Sequence, residues 1–347
     1  MRSAIKVLIV DDSALIRQML TRALSLDPAI EIVGTAKTGL EAIERANELQ
    51  PDVITLDIEM PELSGLEALP HIVKTTKARV VMLSSIGDAE TTYQALDLGA
   101  VDFLVKPTKG VATSLGELSE TLLKKIKTAN RVDPRHRLVR RDGLPPEKSS
   151  AGSTTGVPAD RVVAIAASTG GPPALETVFS GLTADLSAAY MVVQHLPSGF
   201  TKSLARRLSR VTDIYVTEAE DGMPVERGVA YLAPHGVHTR VTGLSNKRFS
   251  LEDSPPVHGV RPAADPLMES VAASFGERSV GVVLTGMGSD GAAGLKQIRA
   301  AGGETIAQDE ETSVVWGMPG AAMRAGAVAH IVPLDHVSAE IRRAVRG

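Results

Sequence analysis

Apolar positions along this chain recur in two spacings, and the spacing changes segment by segment. Short β-branched runs occupy Ile5–Val10, Glu31–Ala36, Val53–Leu56, Arg79–Leu83 and Phe103–Val105. Each has the length of a strand and is apolar nearly throughout, as strands covered on both faces are. Between them, Leu15, Met19 and Ala23, then Ala42, Ile43 and Ala46, repeat at helical spacing. A last helix is expected over Ser114–Thr128. Strictly alternating strands and helices predict a parallel sheet with helices on both faces.

The pattern lapses between Arg131 and Asp160. That stretch holds five arginines, four prolines and a Gly/Ser/Thr cluster without a sustained apolar period, which is linker chemistry. Alternation then resumes with strand-like runs at Val162–Ala167, Tyr190–Val193, Val229–Leu232, Val280–Leu284 and Thr305–Ala307, and helical patterns at Ala292–Ala301 and Val337–Val345. The expected organisation is a domain over residues 1–128, a linker over 129–159 and a second domain over 160–347. Both domains are expected to be α/β with doubly wound parallel sheets.

Composition narrows the reading. The 347 residues exceed what one ordinary core organises, in keeping with two domains. A net charge of −4 gives no global basic field, so nucleic acid is not an expected partner. With no cysteine, disulfides, thiolate metal sites and cysteine nucleophiles are excluded together. The apolar run near Met1 is too short for a signal peptide, and no stretch approaches the roughly 18 apolar residues of a membrane span. The expectation is a cytoplasmic protein that does not insert into membranes.

Three features of the first domain converge on one edge of its predicted sheet. Asp11 and Asp12 end the first strand, Asp57 ends the third, and Lys106-Pro107 ends the fifth. Ligands of doubly wound sheets bind at these carboxyl ends. Three crowded carboxylates repel one another unless a cation sits among them, and such hard oxygen donors suit Mg²⁺. Ser84, ending the fourth strand, offers a hydroxyl to an oxyanion. Taken singly, each acid reads more readily as a helix cap. As a set, with IEMPELSG following Asp57, they make residues 4 to about 125 similar to the response-regulator receiver domain, which has a flavodoxin-like fold. The resemblance implies that Asp57 accepts a phosphoryl group from a chemotaxis histidine kinase. It further implies that Asp11, Asp12 and Asp57 hold Mg²⁺ with the backbone carbonyl of Glu59, and that Ser84 and Lys106 sense the phosphoryl group.

The second domain opens with RVVAIAASTGGP, an apolar run ending in small residues. Ser168 there reads either as a nucleophile at a strand tip or as part of a phosphate cradle at a helix N-terminus. A nucleophile needs a base and a residue to orient it. Of six histidines in this half, at 195, 235, 238, 258, 330 and 336, His195 directly follows an apolar strand, as Ser168 does. His235 and His238 have the spacing of a metal pair, without cysteine or an HExxH motif to support it. His330 and His336 read as structural. An acid is sought in VGVVLTGMGSDGAAGL, where Asp290 lies in a glycine-rich turn; capping the next helix is its alternative role. The order Ser, His, Asp and the absence of a G-x-S-x-G elbow separate this arrangement from α/β hydrolases.

The motifs AIAASTGGP, VVQHLPSGFT, YLAPHGVH, LTGMGSDGAAGL and TIAQDEETSVVWGMPGAA make the second domain resemble the catalytic domain of the chemotaxis protein-glutamate methylesterases, a Rossmann-like α/β domain. The resemblance implies that Ser168, His195 and Asp290 are nucleophile, base and acid, and that the backbone near Thr169 and Met287 stabilises an oxyanion. It implies hydrolysis of glutamate methyl esters on methyl-accepting chemotaxis receptors, deamidation of receptor glutamines, and a receiver that covers the site until phosphorylated. No cofactor is expected for the ester reaction. The segments SSIGDAE and HGVRPAAD are given no role. A nucleotide-binding module and a non-catalytic regulator remain the competing classes.

Overall fold

A computed structural model describes residues 4–85, 89–106, 114–133 and 155–347, with backbone alone for 114–118. The chain forms two compact units, Met1–Arg140 and Arg141–Gly347. Among the described residues no helix is long and apolar enough to cross a membrane.

The first unit alternates without exception: β1 (Ile5–Val10), α1 (Ala14–Leu24), β2 (Ile30–Ala36), α2 (Gly39–Leu49), β3 (Val53–Asp57), α3 (Gly65–Thr75), β4 (Arg79–Ser84), α4 (Ala89–Asp97), β5 (Asp102–Val105) and α5 (Ser114–Ala129). The strands form one parallel sheet in the order β2-β1-β3-β4-β5, a flavodoxin-like order. All five residues of β3 are buried, because helices cover both faces of this central strand. Ser13, Thr38 and Ser64 cap α1, α2 and α3, each side chain accepting an N–H of the first turn; Ser64 and Glu67 form a reciprocal capping box. Gly65 follows because a β-carbon there would lie 1.8 Å from the carbonyl oxygen of Asp57. The helix start is therefore pressed against the end of β3.

The second unit contains β6 (Arg161–Ala167), α6 (Gly171–Ser180), β7 (Ala188–Gln194), α7 (Thr201–Ser209), β8 (Tyr215–Glu218), β9 (Val229–Leu232), β10 (His238–Thr242), β11 (Arg248–Glu252), α8 (Ala264–Phe275), β12 (Ser279–Val283), α9 (Ala292–Ala300), β13 (Glu304–Gln308), α10 (Met318–Arg324), β14 (His330–Val332) and α11 (Leu334–Arg346). Seven strands form a parallel sheet in the order β14-β13-β12-β6-β7-β9-β8. The chain first builds from β6 toward one edge, then returns beside β6 at β12 and builds toward the other. The switch point is thus between β6 and β12. An antiparallel hairpin, β10–β11, stands outside this sheet and packs on α8. It and the short strands β8 and β14 were not among the expected strands. Their burial patterns are broken by partly exposed positions, so none shows a continuous apolar run.

The stretch expected to be a linker is attached at both ends. Val132 is buried and its carbonyl accepts from Arg79 of β4 at 2.9 Å. On the other side, the Ala159 N–H donates to Val225, and the Thr155 hydroxyl to Arg227. Residues 134–154 lie outside the described part.

Candidate active site

Three strand ends meet at the switch point. Ala167 of β6 is in register with Gln194 of β7, so Ser168 and His195 emerge side by side; the His195 N–H donates to the Ala167 carbonyl at 3.2 Å. On the other flank, the Ser168 N–H donates to the Thr285 carbonyl at 3.0 Å, just beyond β12. Five residues further on, Asp290 returns beneath the edge and its Oδ2 lies 2.8 Å from His195 Nε2. Residues far apart in sequence, Ser168, His195 and Asp290, are thus gathered at one edge of the sheet, with Asp290 against the His195 ring and Ser168 on the neighbouring strand end. Ligands of such sheets bind at this kind of crevice.

Asp290 is held as a carboxylate. It is 1% exposed, and burial alone pushes its pKa up. The hydrogen bond and charge of His195, with the N–H groups of Ala264 and Asp265, outweigh burial and bring it below the ordinary carboxylate value. Four donors reach it: Oδ2 accepts from His195 and Ala264, and Oδ1 from Asp265 and Gly291. An ionised Asp290 accepts from Nε2, which leaves the lone pair of a neutral His195 ring on Nδ1.

Around the serine, small residues make room for other groups. The chain turns from β6 into α6 through Gly170 at φ 76°, a left-handed conformation suited to glycine. A β-carbon on Gly171 would lie 1.8 Å from Gln194 Oε1. That glutamine is 5% exposed, and its Nε2 donates to the carbonyls of Ser168 at 2.9 Å and His195 at 3.2 Å. One amide thereby ties together the backbones of both strand ends. The amides of Ser168, Gly171 and Gly286 are spent on carbonyls, which removes them from any role toward an oxyanion. Thr169 is buried directly after the serine, and Met287, 37% exposed, follows a glycine whose α-carbon faces the Ser168 β-carbon.

The other histidines fall into place. His235 Nδ1 contacts the Leu196 carbonyl at 2.8 Å. His238 is buried; its Nε2 contacts the Pro255 carbonyl and its Nδ1 accepts the Ala263 N–H. These two form no cluster suited to a metal ion among the described residues, since both nitrogens of His238 are committed to backbone. His330 joins a partly exposed network with Glu304, Glu340 and Arg343. Sequence reasoning missed Gln194 and assigned nothing to HGVRPAAD, whose last two residues supply backbone donors to Asp290. The Gln194-His195 pairing at the strand end was a usable signal for the first. Backbone donors leave no signature in side-chain identity, so the second had none.

In the first unit, Asp11 is fully buried and Asp57 is 3% exposed, with Asp12 exposed at the rim. Lys106 Nζ lies 2.7 Å from Asp11 Oδ2 and 2.6 Å from Asp57 Oδ2. Burial pushes the Asp57 carboxyl up to about 6; Lys106 works against this, and Asp11 and Asp12 add to it. Burial draws Lys106 down, yet its pairing with Asp11 and Asp57 outweighs it and leaves its pKa raised. Oxygens from Asp11, Asp12 and Asp57 lie within 4.8 Å of one another, and Glu59 lines the open depression beside Asp12. Asp11 Oδ2 has the lysine charge but no hydrogen bond in line. Buried, mutually repelling oxygens with one cation between them fit a divalent ion. The Ser84 hydroxyl is buried and 2.8 Å from the Thr92 hydroxyl of α4.

A flavodoxin-like unit with an acidic pocket, followed by a parallel-sheet unit with serine, histidine and aspartate at its switch point, defines a response regulator with a hydrolase-type output domain. The chain belongs to the CheB methylesterase family. Residues 163–341 match the CheB methylesterase family and residues 7–112 the response regulator receiver domain. A protein-glutamate methylesterase/protein-glutamine glutaminase of Pyrococcus horikoshii is 46% identical over 98% of this chain and 94% of its own length. One of Geobacillus kaustophilus is 45% identical over 97% of both chains. The crystal structure of the Thermotoga maritima CheB methylesterase catalytic domain aligns with a TM-score of 0.52 and 37% identity, over 53% of this chain and 97% of that one.

Replacing Gln194 by leucine keeps its bulk and removes both donated hydrogen bonds. Two carbonyls at the strand ends then lose a buried partner, for a stability loss of about 2 kcal/mol in urea unfolding. Turnover is expected to fall about tenfold or more with KM nearly unchanged, since the loss is in alignment of Ser168 against His195.

Proposed function

We propose that this chain is a protein-glutamate methylesterase of a chemosensory pathway, using Ser168 as nucleophile, His195 as base and Asp290 as the residue that orients it. The observation that carries the reading is the 2.8 Å contact between His195 Nε2 and Asp290, with Ser168 following the strand paired to the one that His195 follows. Nδ1 of His195 takes the Ser168 proton as the hydroxyl attacks the ester carbonyl. Amides near Thr169 and Met287 stabilise the oxyanion, about 3 kcal/mol per donor in comparable sites. The protonated histidine then gives its proton to the departing methoxide, releasing methanol. Water, activated by the same ring, attacks the acyl-serine and leaves a glutamate carboxylate. With a glutamine substrate the same steps release ammonia. The substrates are methyl-accepting chemotaxis receptors, and the test is methanol release from methylated receptor membranes by wild type, Ser168→Ala and His195→Ala. Unchanged release in either variant would overturn the assignment.

The receiver gives the reaction a switch. Asp57 is the phosphoryl acceptor from the pathway's histidine kinase, Asp11, Asp12, Asp57 and the Glu59 carbonyl are the groups that would hold Mg²⁺, and Lys106 meets the charge that phosphorylation adds. When bound, the ion supplies positive charge that offsets the phosphoryl oxygens. Drawing the Ser84 side chain to a phosphoryl oxygen moves it from the Ser85 carbonyl and from the Thr92 hydroxyl of α4, so the modification is felt in that helix. Asp57→Asn is expected to abolish the rate increase that a phosphoryl donor gives the wild type.

The same variant reports the strain at the site. A carboxyl with a folded pKa near 6 favours the folded state while protonated, and that contribution is lost as pH rises from about 4 through 6. In chelator-treated buffer at pH 7.5, Asp57→Asn is therefore expected to be more stable than wild type by on the order of 2 kcal/mol. The gain should vanish below about pH 4. A variant less stable at pH 7.5 would show that the Lys106 pairing outweighs burial.

A further inference from the structure

A second histidine–carboxylate pair stands behind Asp290. Asp265, the second residue of α8, donates its N–H to Asp290 Oδ1 at 3.1 Å. Its own carboxylate, 4% exposed, accepts from the Gly294 N–H and from His258 Nε2, both at 2.7 Å. Carboxylate oxygens of Asp265 and Asp290 and a ring nitrogen of His258 all lie within 4.8 Å of one another. Two buried carboxylates share one small volume, steadied by the amino ends of α8 and α9.

His258 is the side chain that meets them from outside the helices, its Nε2 2.7 Å from Asp265. It sits with Gly259 at the tip of a two-residue turn closed by reciprocal hydrogen bonds between Val257 and Val260. The φ angles are 55° and 75°, a conformation in which asparagine and glycine are favoured and a histidine is strained. Other charged groups nearby are engaged elsewhere. Arg261 pairs with Asp253, Glu269 of α8 with Arg240, and Arg299 of α9 with the carbonyls of Gly326 and Val328; Lys296 is exposed a turn further along α9. His238 accepts from Ala263 at Nδ1 and contacts a carbonyl through Nε2, so both of its nitrogens are engaged with backbone. Every oxygen of the two carboxylates already accepts a donor, so the cluster is a hydrogen-bonded charge network rather than an open set of metal ligands.

Resting on the triad reading, we propose that His258 is a positioning residue that acts through Asp265 to set the charge felt by the Asp290–His195 couple. With His258 protonated, Asp265 is compensated. Without that positive charge, Asp265 adds negative charge behind Asp290, favours protonated His195, and withdraws the base at a higher pH. Removing the Asp265 charge does the opposite.

The experiment is the pH dependence of kcat/KM for methanol release by the full-length chain, as wild type, His258→Gln, Asp265→Asn and the double variant. The acid limb is expected to move up by about half a pH unit in His258→Gln and down by a similar amount in Asp265→Asn. In the double variant it returns close to wild type. A merely structural role lowers the rate without moving the limb in opposite directions. Limbs that stay in place, or shift together, overturn the proposal. If Asp265→Asn fails to fold by circular dichroism, His258→Gln decides alone, and an unmoved limb overturns it. A Ser168→Ala control that kept its activity would instead overturn the triad reading.

Discussion

Ser168→Ala is expected to lower kcat for methanol release by about a millionfold, with KM for methylated receptor little changed. In the proposed mechanism the hydroxyl forms the covalent bond, so its removal leaves the neighbouring groups with nothing to activate. His195→Ala is expected to cost about as much, and the double variant no more than either single one, because the residues act as a unit. The measurement is initial methanol release, with a burst of acyl-enzyme in rapid quench for wild type alone. Losses that multiplied in the double variant would mean that Ser168 and His195 act independently.

Asp290→Asn is expected to reduce kcat about ten-thousandfold. The carboxylate accepts four hydrogen bonds and donates none. An asparagine presents its amide N–H₂ to donors on one side or the other. Facing His195, it forces the ring to turn its lone pair to residue 290 and its proton to Ser168, the wrong tautomer for a base. Facing Asp265 and Gly291, it sets donor against donor beneath the edge of the sheet, at about 1–3 kcal/mol for each partner left unsatisfied. Wild-type Asp290 has a folded pKa below its ordinary value. Its stabilising contribution is present above the unfolded pKa and lost as pH falls through the folded one. The variant is therefore expected to be less stable than wild type at pH 7 and to show a flatter decline below about pH 4. A fully active Asp290→Asn would remove Asp290 from the mechanism.

Some of this site was open to reading along the chain. Ser168, His195 and Asp57 directly follow or end apolar strands, and in a parallel sheet covered on both faces such strands carry their next residues to one ligand-binding edge. The pairing was not open. That β12 returns beside β6 depends on which buried faces fit, and a run such as SVGVV is compatible with a place anywhere in the sheet. The hairpin β10–β11 escaped because its five-residue strands mix buried, partly exposed and exposed positions with no regular period, a pattern shared with surface loops.

The amino-acid sequence by itself determined the two α/β units, the acidic pocket residues and the three residue types that hydrolysis needs. It did so because strand length, apolar burial and side-chain chemistry are local properties. The tertiary structure alone decided that Nε2 rather than Nδ1 of His195 faces Asp290, that Gln194 binds both strand ends, and that Ala264 and Asp265 hold the carboxylate in place. Those choices rest on backbone amides and side-chain directions brought together from up to about a hundred residues away, and no local pattern encodes such contacts.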